Sequence, residues 1–199
     1  MDLSIIIVNW NTREHLSQCL RRVYETVTGL AFEVFVVDNA SEDGSAPMVR
    51  ASFPQVELLE NGANVGFARA NNRAIERSQG RYVLLLNPDA FVMEGTIEQM
   101  VRFMDAHPDA GAAGCRLLYP SGDLQLSCAN FPRLSSEFYR LSSLHRILPL
   151  GPTTGHYGMA HRDLSEIQEV DVVLGAFMLV RRETIEDVGA LDESFFMYS

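Results

Sequence analysis

The chain has 199 residues, 47% hydrophobic and 21% charged, which is the composition of a globular protein with one well-buried core and sets the expectation of a single domain over 1–199. Its 26 acidic against 16 basic residues give a formal charge of −10; this excludes the basic footprint of a nucleic-acid-binding surface, so any bound phosphate must be neutralised locally. Three cysteines, Cys19, Cys115 and Cys128, without C-x-x-C spacing exclude a disulfide framework and a zinc site and fit a reducing cytoplasm.

Residues 3–9 (LSIIIVN) form a continuous β-branched run with no basic flank or cleavage site before it, so a strand is expected and a signal peptide is not. Asn11 or Thr12 offers a cap for a helix that carries Leu16, Cys19, Leu20, Val23, Tyr24 and Val27 at helical spacing. A second buried strand, residues 32–37, ends in Asp38-Asn39-Ala40-Ser41. A short helix over 46–52, a strand near 56–59 and a Gly/Asn loop over 61–66 follow. The next helix is expected from Phe67 to Gln79, stopped by Gly80 as a C′ glycine. Residues 82–86 make the most apolar strand, which ends in Asn87-Pro88-Asp89-Ala90, and Thr96 with Gln99 has the spacing of a capping box.

Strands and helices alternate to about residue 110, which implies a parallel sheet covered on both faces. Beyond it, residues 114–119, a Pro-Ser-Gly-Asp turn and residues 124–128 read as a hairpin, so a mixed sheet is expected in the half from 111 to 199. Gly and Pro density over 145–165 suggests a loop that closes over ligand. Strand segments at 170–174 and 177–180, broken by Gly175, and a short helix at 183–188 complete the chain. The run Val172 to Val180 is far shorter than the roughly 20 residues that span a bilayer, which leaves peripheral membrane association open.

In open α/β sheets ligands bind outside the carboxyl ends of the strands. There the sequence puts Asn9 and Asn11, Asp38 and Asn39, Asn64 and Gly66, and Asn87 and Asp89. Each alone reads as a turn residue or a cap; four such clusters at successive strand ends are expected to share one cleft, with Asp38 and Asp89 facing it from neighbouring strands. Neither G-x-G-x-x-G nor a P-loop is present, which removes most support for dinucleotide and P-loop readings. A carboxylate at the end of the second strand can still accept hydrogen bonds from a base or a ribose, and Asp38 is the candidate.

The runs Ile5–Asn11, Val36–Gly44, Asn64-Val65-Gly66-Phe67-Ala68 with Asn72, Leu85–Ala90, Gly175–Arg182 and Leu191–Tyr198 together resemble glycosyltransferase family 2, most of all its bacterial rhamnosyltransferase-type members. The resemblance implies a GT-A fold with residues 1–110 as the nucleotide-sugar half and 111–199 as the acceptor half. It implies a dTDP- or UDP-linked sugar donor, inversion at the anomeric carbon, a glycan or lipid-linked glycan acceptor, and a place at the inner face of the cell membrane. By position, Asp38 would contact base or ribose, while Asn64, Gly66 and Asn72 would shape the nucleoside pocket. Asn87-Pro88-Asp89 takes the place of the family's D-x-D element, so Asp89 would hold Mg²⁺ or Mn²⁺: a hard dication takes oxygen ligands and bridges diphosphate oxygens. With Asn87 in place of the first acid, donor phosphates must complete the shell.

The family continues after Phe-Phe-x-Tyr with a Glu-Asp pair that carries the general base, whereas this sequence ends at Ser199. A truncated chain that binds donor and transfers poorly is therefore expected, with Asp192 and Glu193 as substitute bases. A donor-binding module without turnover is the alternative. A sugar-1-phosphate nucleotidyltransferase would carry a Gly-rich, Arg-containing loop where this chain has Asn9-Trp10-Asn11. His156 and His161 read as solvated loop residues, Arg181 and Arg182 as a solvated strand edge, and Phe195, Phe196 and Tyr198 as core.

Overall fold

The computed structural model describes residues 1–131 and 166–197. The expected closing loop, with His156 and His161, and Tyr198 lie outside the described residues. Two compact units are present, one formed by residues 1–113 with 175–199 and the other by 114–174.

The first unit is built on a six-stranded sheet whose elements are β1 (Leu3–Asn9), β2 (Phe32–Asp38), β3 (Glu57–Glu60), β4 (Tyr82–Leu86), β5 (Ala112–Gly114) and β10 (Phe177–Arg181), in the order β3-β2-β1-β4-β10-β5. β1 pairs in parallel with β2 and β4, and β2 with β3, whereas β10 runs antiparallel to β4. The sheet is therefore mixed, as expected. Helices α1 (Arg13–Thr26), α2 (Ser45–Ser52), α3 (Phe67–Ile75) and α4 (Thr96–Ala106) follow the first four strands, and α5 (Arg182–Val188) follows β10.

Right-handed crossovers put α1 and α2 on one face, because β1 to β2 to β3 proceeds in one direction; the step from β3 to β4 reverses past β1 and puts α3 on the other. The packing agrees. Ile6, Phe35, Val37, Val83 and Leu85 point to the α3 side and bury Ala70, Ala74 and Ile75 with them. The alternate residues Ile5, Ile7, Val34, Val36 and Leu84 are equally buried on the opposite face. Strands covered on both faces explain why the sequence shows unbroken apolar runs rather than alternation. The strand order reverses between β1 and β4, so the carboxyl ends of these two strands flank the crevice where such sheets bind ligands.

Three element ends differ from the sequence reading. α3 stops at Ile75 instead of Gln79, and Gly80 is not its C′ residue. α4 is preceded by Gly95 at a φ of +75°, so Thr96 is the first helical residue and not an N-cap. Thr12 precedes α1, yet its hydroxyl donates to Asn9 Oδ1 instead of capping the helix.

In the second unit β6 (Leu117–Leu118) pairs antiparallel with β7 (Leu124–Gln125) around the turn where Gly122 N donates to Tyr119 O. β8 (Cys128–Ala129) does not extend that hairpin but pairs with β9 (Val172–Val173). Among the described residues no helix is long and apolar enough to cross a membrane.

Candidate functional site

The polar residues at the ends of β1, β2 and β3 form one connected network. Asn9 is fully buried and donates through Nδ2 to Asp38 Oδ1 at 2.8 Å and to Ser41 Oγ at 3.0 Å. The other oxygen of Asp38 accepts the Ser41 amide at 2.9 Å, and Ser41 Oγ also accepts the Asn11 amide at 2.9 Å. Asp38 is thus a buried carboxylate with a hydrogen bond at each oxygen, which leaves lone pairs for further donors. The turn that achieves this holds Ala40 at a φ of +58° and Asn11 at +55°. The left-handed region is easy for Asn but costs Ala about 1–2 kcal/mol, so backbone strain is concentrated beside Asp38.

A second group of asparagines joins β2 to the loop before α3. Asn39 Oδ1 accepts Asn61 Nδ2 at 2.6 Å, and Asn39 Nδ2 donates to Asn64 Oδ1 at 3.1 Å and Gly66 O at 3.3 Å. Asn64 Oδ1 also accepts the Gly66 amide at 3.0 Å. Main-chain bonds from Asn39 to Asn9 and from Asn61 to Asp38 tie the two groups together. Asn9, Asn11, Asp38, Asn39, Asn64 and Gly66 are therefore brought together, with Asn9 and Asn39 using their amides to hold the frame. Ser41 and Asn61 were not singled out in the sequence as site residues. The only signal was their position in the Asp38–Gly44 and 61–66 loops.

Asp89 stands apart from this network. β1 lies between β2 and β4, so the ends carrying Asp38 and Asp89 are not neighbours as expected but flank the same central strand. Residues 87–90 form a turn closed by the Ala90 amide on Asn87 O at 3.1 Å, and the Asn87 amide is anchored to Ala176 O at 3.0 Å. Pro88 favours this turn, and it leaves Asp89 exposed. Among the described residues no hydrogen bond or ion pair engages its carboxylate, and no three His, Cys, Asp or Glu side chains cluster as a ready-made cation cage. One free carboxylate oxygen pair fits a cation whose remaining ligands come from substrate phosphates.

Asn72 is buried on α3, and its amide pairs with the main chain of Leu191 instead of opening toward Asn64. Glu193 accepts from Asn72 Nδ2 at 3.1 Å and faces Arg69 at 3.8 Å. Asp192 accepts the Ser194 amide at 2.9 Å, and that main-chain bond holds its carboxyl below the usual carboxylate range. Both candidate bases thus already hold hydrogen bonds, Asp192 within its own segment and Glu193 with α3. Arg181 and Arg182 are not a solvated edge. Arg181 donates to the carbonyls of Met104, His107 and Ala110 at the end of α4, and Arg182 to Gly80 O and Ser78 Oγ. Phe195 and Phe196 are about half exposed rather than core.

The family model for glycosyl transferase family 2 matches residues 4–189. The N-acetylglucosaminyl-diphospho-decaprenol L-rhamnosyltransferase of Mycobacterium tuberculosis is 29% identical over 211 residues, covering 98% of this chain and 66% of that protein. A low-salt glycan biosynthesis hexosyltransferase of Haloferax volcanii is 28% identical over 201 residues, covering 99% of this chain and 58% of that protein. The chain therefore spans less than two thirds of these relatives' lengths. Among solved structures, S. aureus TarS in complex with UDP superposes with a TM-score of 0.64 at 16% identity, over 98% of this chain and 52% of that one. A mannosyltransferase of Pyrobaculum calidifontis in complex with GDP-Man and Mn²⁺ gives 0.63 at 21% identity, over 96% and 47%. At these identities the likeness establishes the fold, which is GT-A.

Proposed function

The chain belongs to glycosyl transferase family 2, and from that premise we propose that it carries the donor site of an inverting glycosyltransferase. The donor is a dTDP- or UDP-linked sugar, with rhamnose favoured by the mycobacterial relative, and the acceptor is a glycan or lipid-linked glycan at the inner face of the cell membrane. The observation that carries the reading is the free, exposed carboxylate of Asp89 at the end of β4, beside the switch point of the sheet. Asp38 offers its remaining lone pairs to the nucleoside, and Asn11, Asn64 and Gly66 shape the pocket around it. Asn9 and Asn39 keep Asp38 and Asn64 oriented. Asp89, with Asn87 beside it, would hold Mg²⁺ or Mn²⁺, and the cation would supply charge stabilisation to a departing nucleoside diphosphate.

A sugar-nucleotide-binding module without turnover is the second reading. It is supported by the hydrogen bonds already held by Asp192 and Glu193, since a general base must reach the acceptor hydroxyl and general-base catalysis contributes about 10²–10⁴-fold. Calorimetric titration of UDP, dTDP and GDP, with Mn²⁺ and with chelator, tests the donor site. Binding is expected to tighten with Mn²⁺, and Asp89→Ala is expected to remove that increment while leaving metal-free binding in place. An increment that survives Asp89→Ala would take Asp89 out of the metal site.

A further inference from the structure

We infer that Asn72 is a positioning residue and not a donor contact, and that together with Gly66 it seats Leu191–Phe196 as the acceptor-side wall of the site. Asn72 Nδ2 donates to Leu191 O at 2.7 Å while its Oδ1 accepts the Leu191 amide at 3.0 Å, so the side chain pairs with the segment as a neighbouring strand would. The same Nδ2 donates to Glu193 Oε1 at 3.1 Å, and Arg69, three residues earlier on α3, faces Glu193 Oε2 at 3.8 Å. An amide has two N–H groups and two lone pairs. With both N–H groups and one lone pair committed, Asn72 has little left for a nucleoside.

The start of α3 continues the seat. The Phe67 amide, one of the donors that a helix N-terminus leaves without an intrahelical partner, is taken up by Phe196 O at 2.8 Å. Gly66 has a φ of +86°, and a Cβ there would lie 2.5 Å from Phe196 O and 2.9 Å from Phe196 Cδ2, so no side chain fits between loop and segment. Yet the Gly66 carbonyl accepts from Asn39 at 3.3 Å. One glycine thus joins the asparagine network to the seated segment. Outward, the segment presents Asp192 and the half-exposed rings of Phe195 and Phe196. Carboxylate and apolar ring faces suit the hydroxyls and the C–H face of a sugar, which is why the wall is assigned to a glycan acceptor.

The acceptor assignment rests on the glycosyltransferase reading above, whereas the seating of the segment stands on the contacts alone. Asn72→Ala and Asn72→Asp are compared with the unaltered chain in three measurements. These are affinity for UDP and dTDP with Mn²⁺, amide exchange at Leu191, and the acceptor KM for transfer to prenyl-diphosphate-linked N-acetylglucosamine. Asn72→Asp retains the acceptor for the Leu191 amide, removes both donors and sets a like charge beside Glu193, and so guards against an alanine variant that simply fails to fold. In both variants nucleotide affinity and donor KM are expected to stay within about twofold, while Leu191 exchange rises about tenfold or more and acceptor KM rises at least about fivefold. Nucleotide affinity weakened about fivefold in Asn72→Asp would return Asn72 to the donor pocket, and unchanged Leu191 exchange would remove the seat; either overturns the inference. Absence of transfer by the unaltered chain selects the binding module without turnover and removes the acceptor assignment, and the other two measurements still decide the role of Asn72.

Discussion

Cys19 lies buried under the Asn87–Ala90 turn, its thiol 3.5 Å from Ala90 O and 3.8 Å from Asn87 O. Burial, and to a smaller extent the charge of Asp89, pushes the Cys19 thiol up to about 12. Because the thiolate is the nucleophile, native protein treated with iodoacetamide at pH 8 is expected to leave Cys19 unlabelled, while denatured protein labels it fully. Mass-spectrometric detection of rapid native labelling would show that the turn presenting Asp89 opens readily. At this scale the sequence was informative where a residue type carries its own chemistry. Asp38, Asn64 and Asp89 stood out as polar groups at strand ends. It was silent where the role comes from a partner distant in sequence. Nothing around Cys19 announces the turn above it, nothing around Asn72 announces Leu191, and Arg181 looked solvated because the carbonyls it satisfies lie at and just beyond the end of α4.

The link between α3 and β4 shows how a glycine that ends a helical pattern in sequence can serve another purpose in the fold. A Gly after an amphipathic run normally marks a left-handed cap, but Gly80 answers a different need. A Cβ there would sit 2.4 Å from the Ser4 amide nitrogen and 2.6 Å from Leu3 C, so the main chain passes directly against the start of β1. Its own amide donates to Ser4 Oγ at 2.8 Å. Gly80→Ala is therefore expected to destabilise the fold by about 1–3 kcal/mol in urea denaturation, as overpacking against main chain does. A loss below about 0.5 kcal/mol would mean that the two segments separate at no cost. Strand identities were legible because burial on both faces writes unbroken apolar runs, whereas helix ends such as Gly95 before α4 depend on a dihedral angle that Thr96 and Gln99 obscured. The hairpin beyond residue 114 was half legible. Its turn is encoded in Pro-Ser-Gly-Asp, but the pairing of β8 with β9 is a contact between distant segments with no local signature.

Across the whole molecule, the formal charge of −10 and the absence of a dense basic stretch in the sequence make the diphosphate of a donor an unfavourable guest unless a cation accompanies it. The parallel sheet was readable from the alternation of strands and helices, and the GT-A architecture from the resemblance that the ordered motifs carry, because each motif lies within a few residues of a strand end. How those ends share a network was not, since the order β3-β2-β1-β4 puts Asp38 and Asp89 on either side of β1. A ligand that binds only the folded state stabilises it by about 2.7 kcal/mol at a hundred times its Kd, and for a chain of this size each kcal/mol raises Tm by about 2–4 °C. UDP or dTDP with Mn²⁺ at that excess is expected to raise Tm by about 5–10 °C. The same nucleotide with chelator should give a clearly smaller rise, because the hydrogen bonds of the asparagine network remain while the phosphate charge is uncompensated, and Mn²⁺ alone should give almost none, since Asp89 is one carboxylate and not a cage. Equal rises with Mn²⁺ and with chelator would mean that protein cations neutralise the diphosphate, and a large rise with Mn²⁺ alone would mean that a complete metal site exists without substrate.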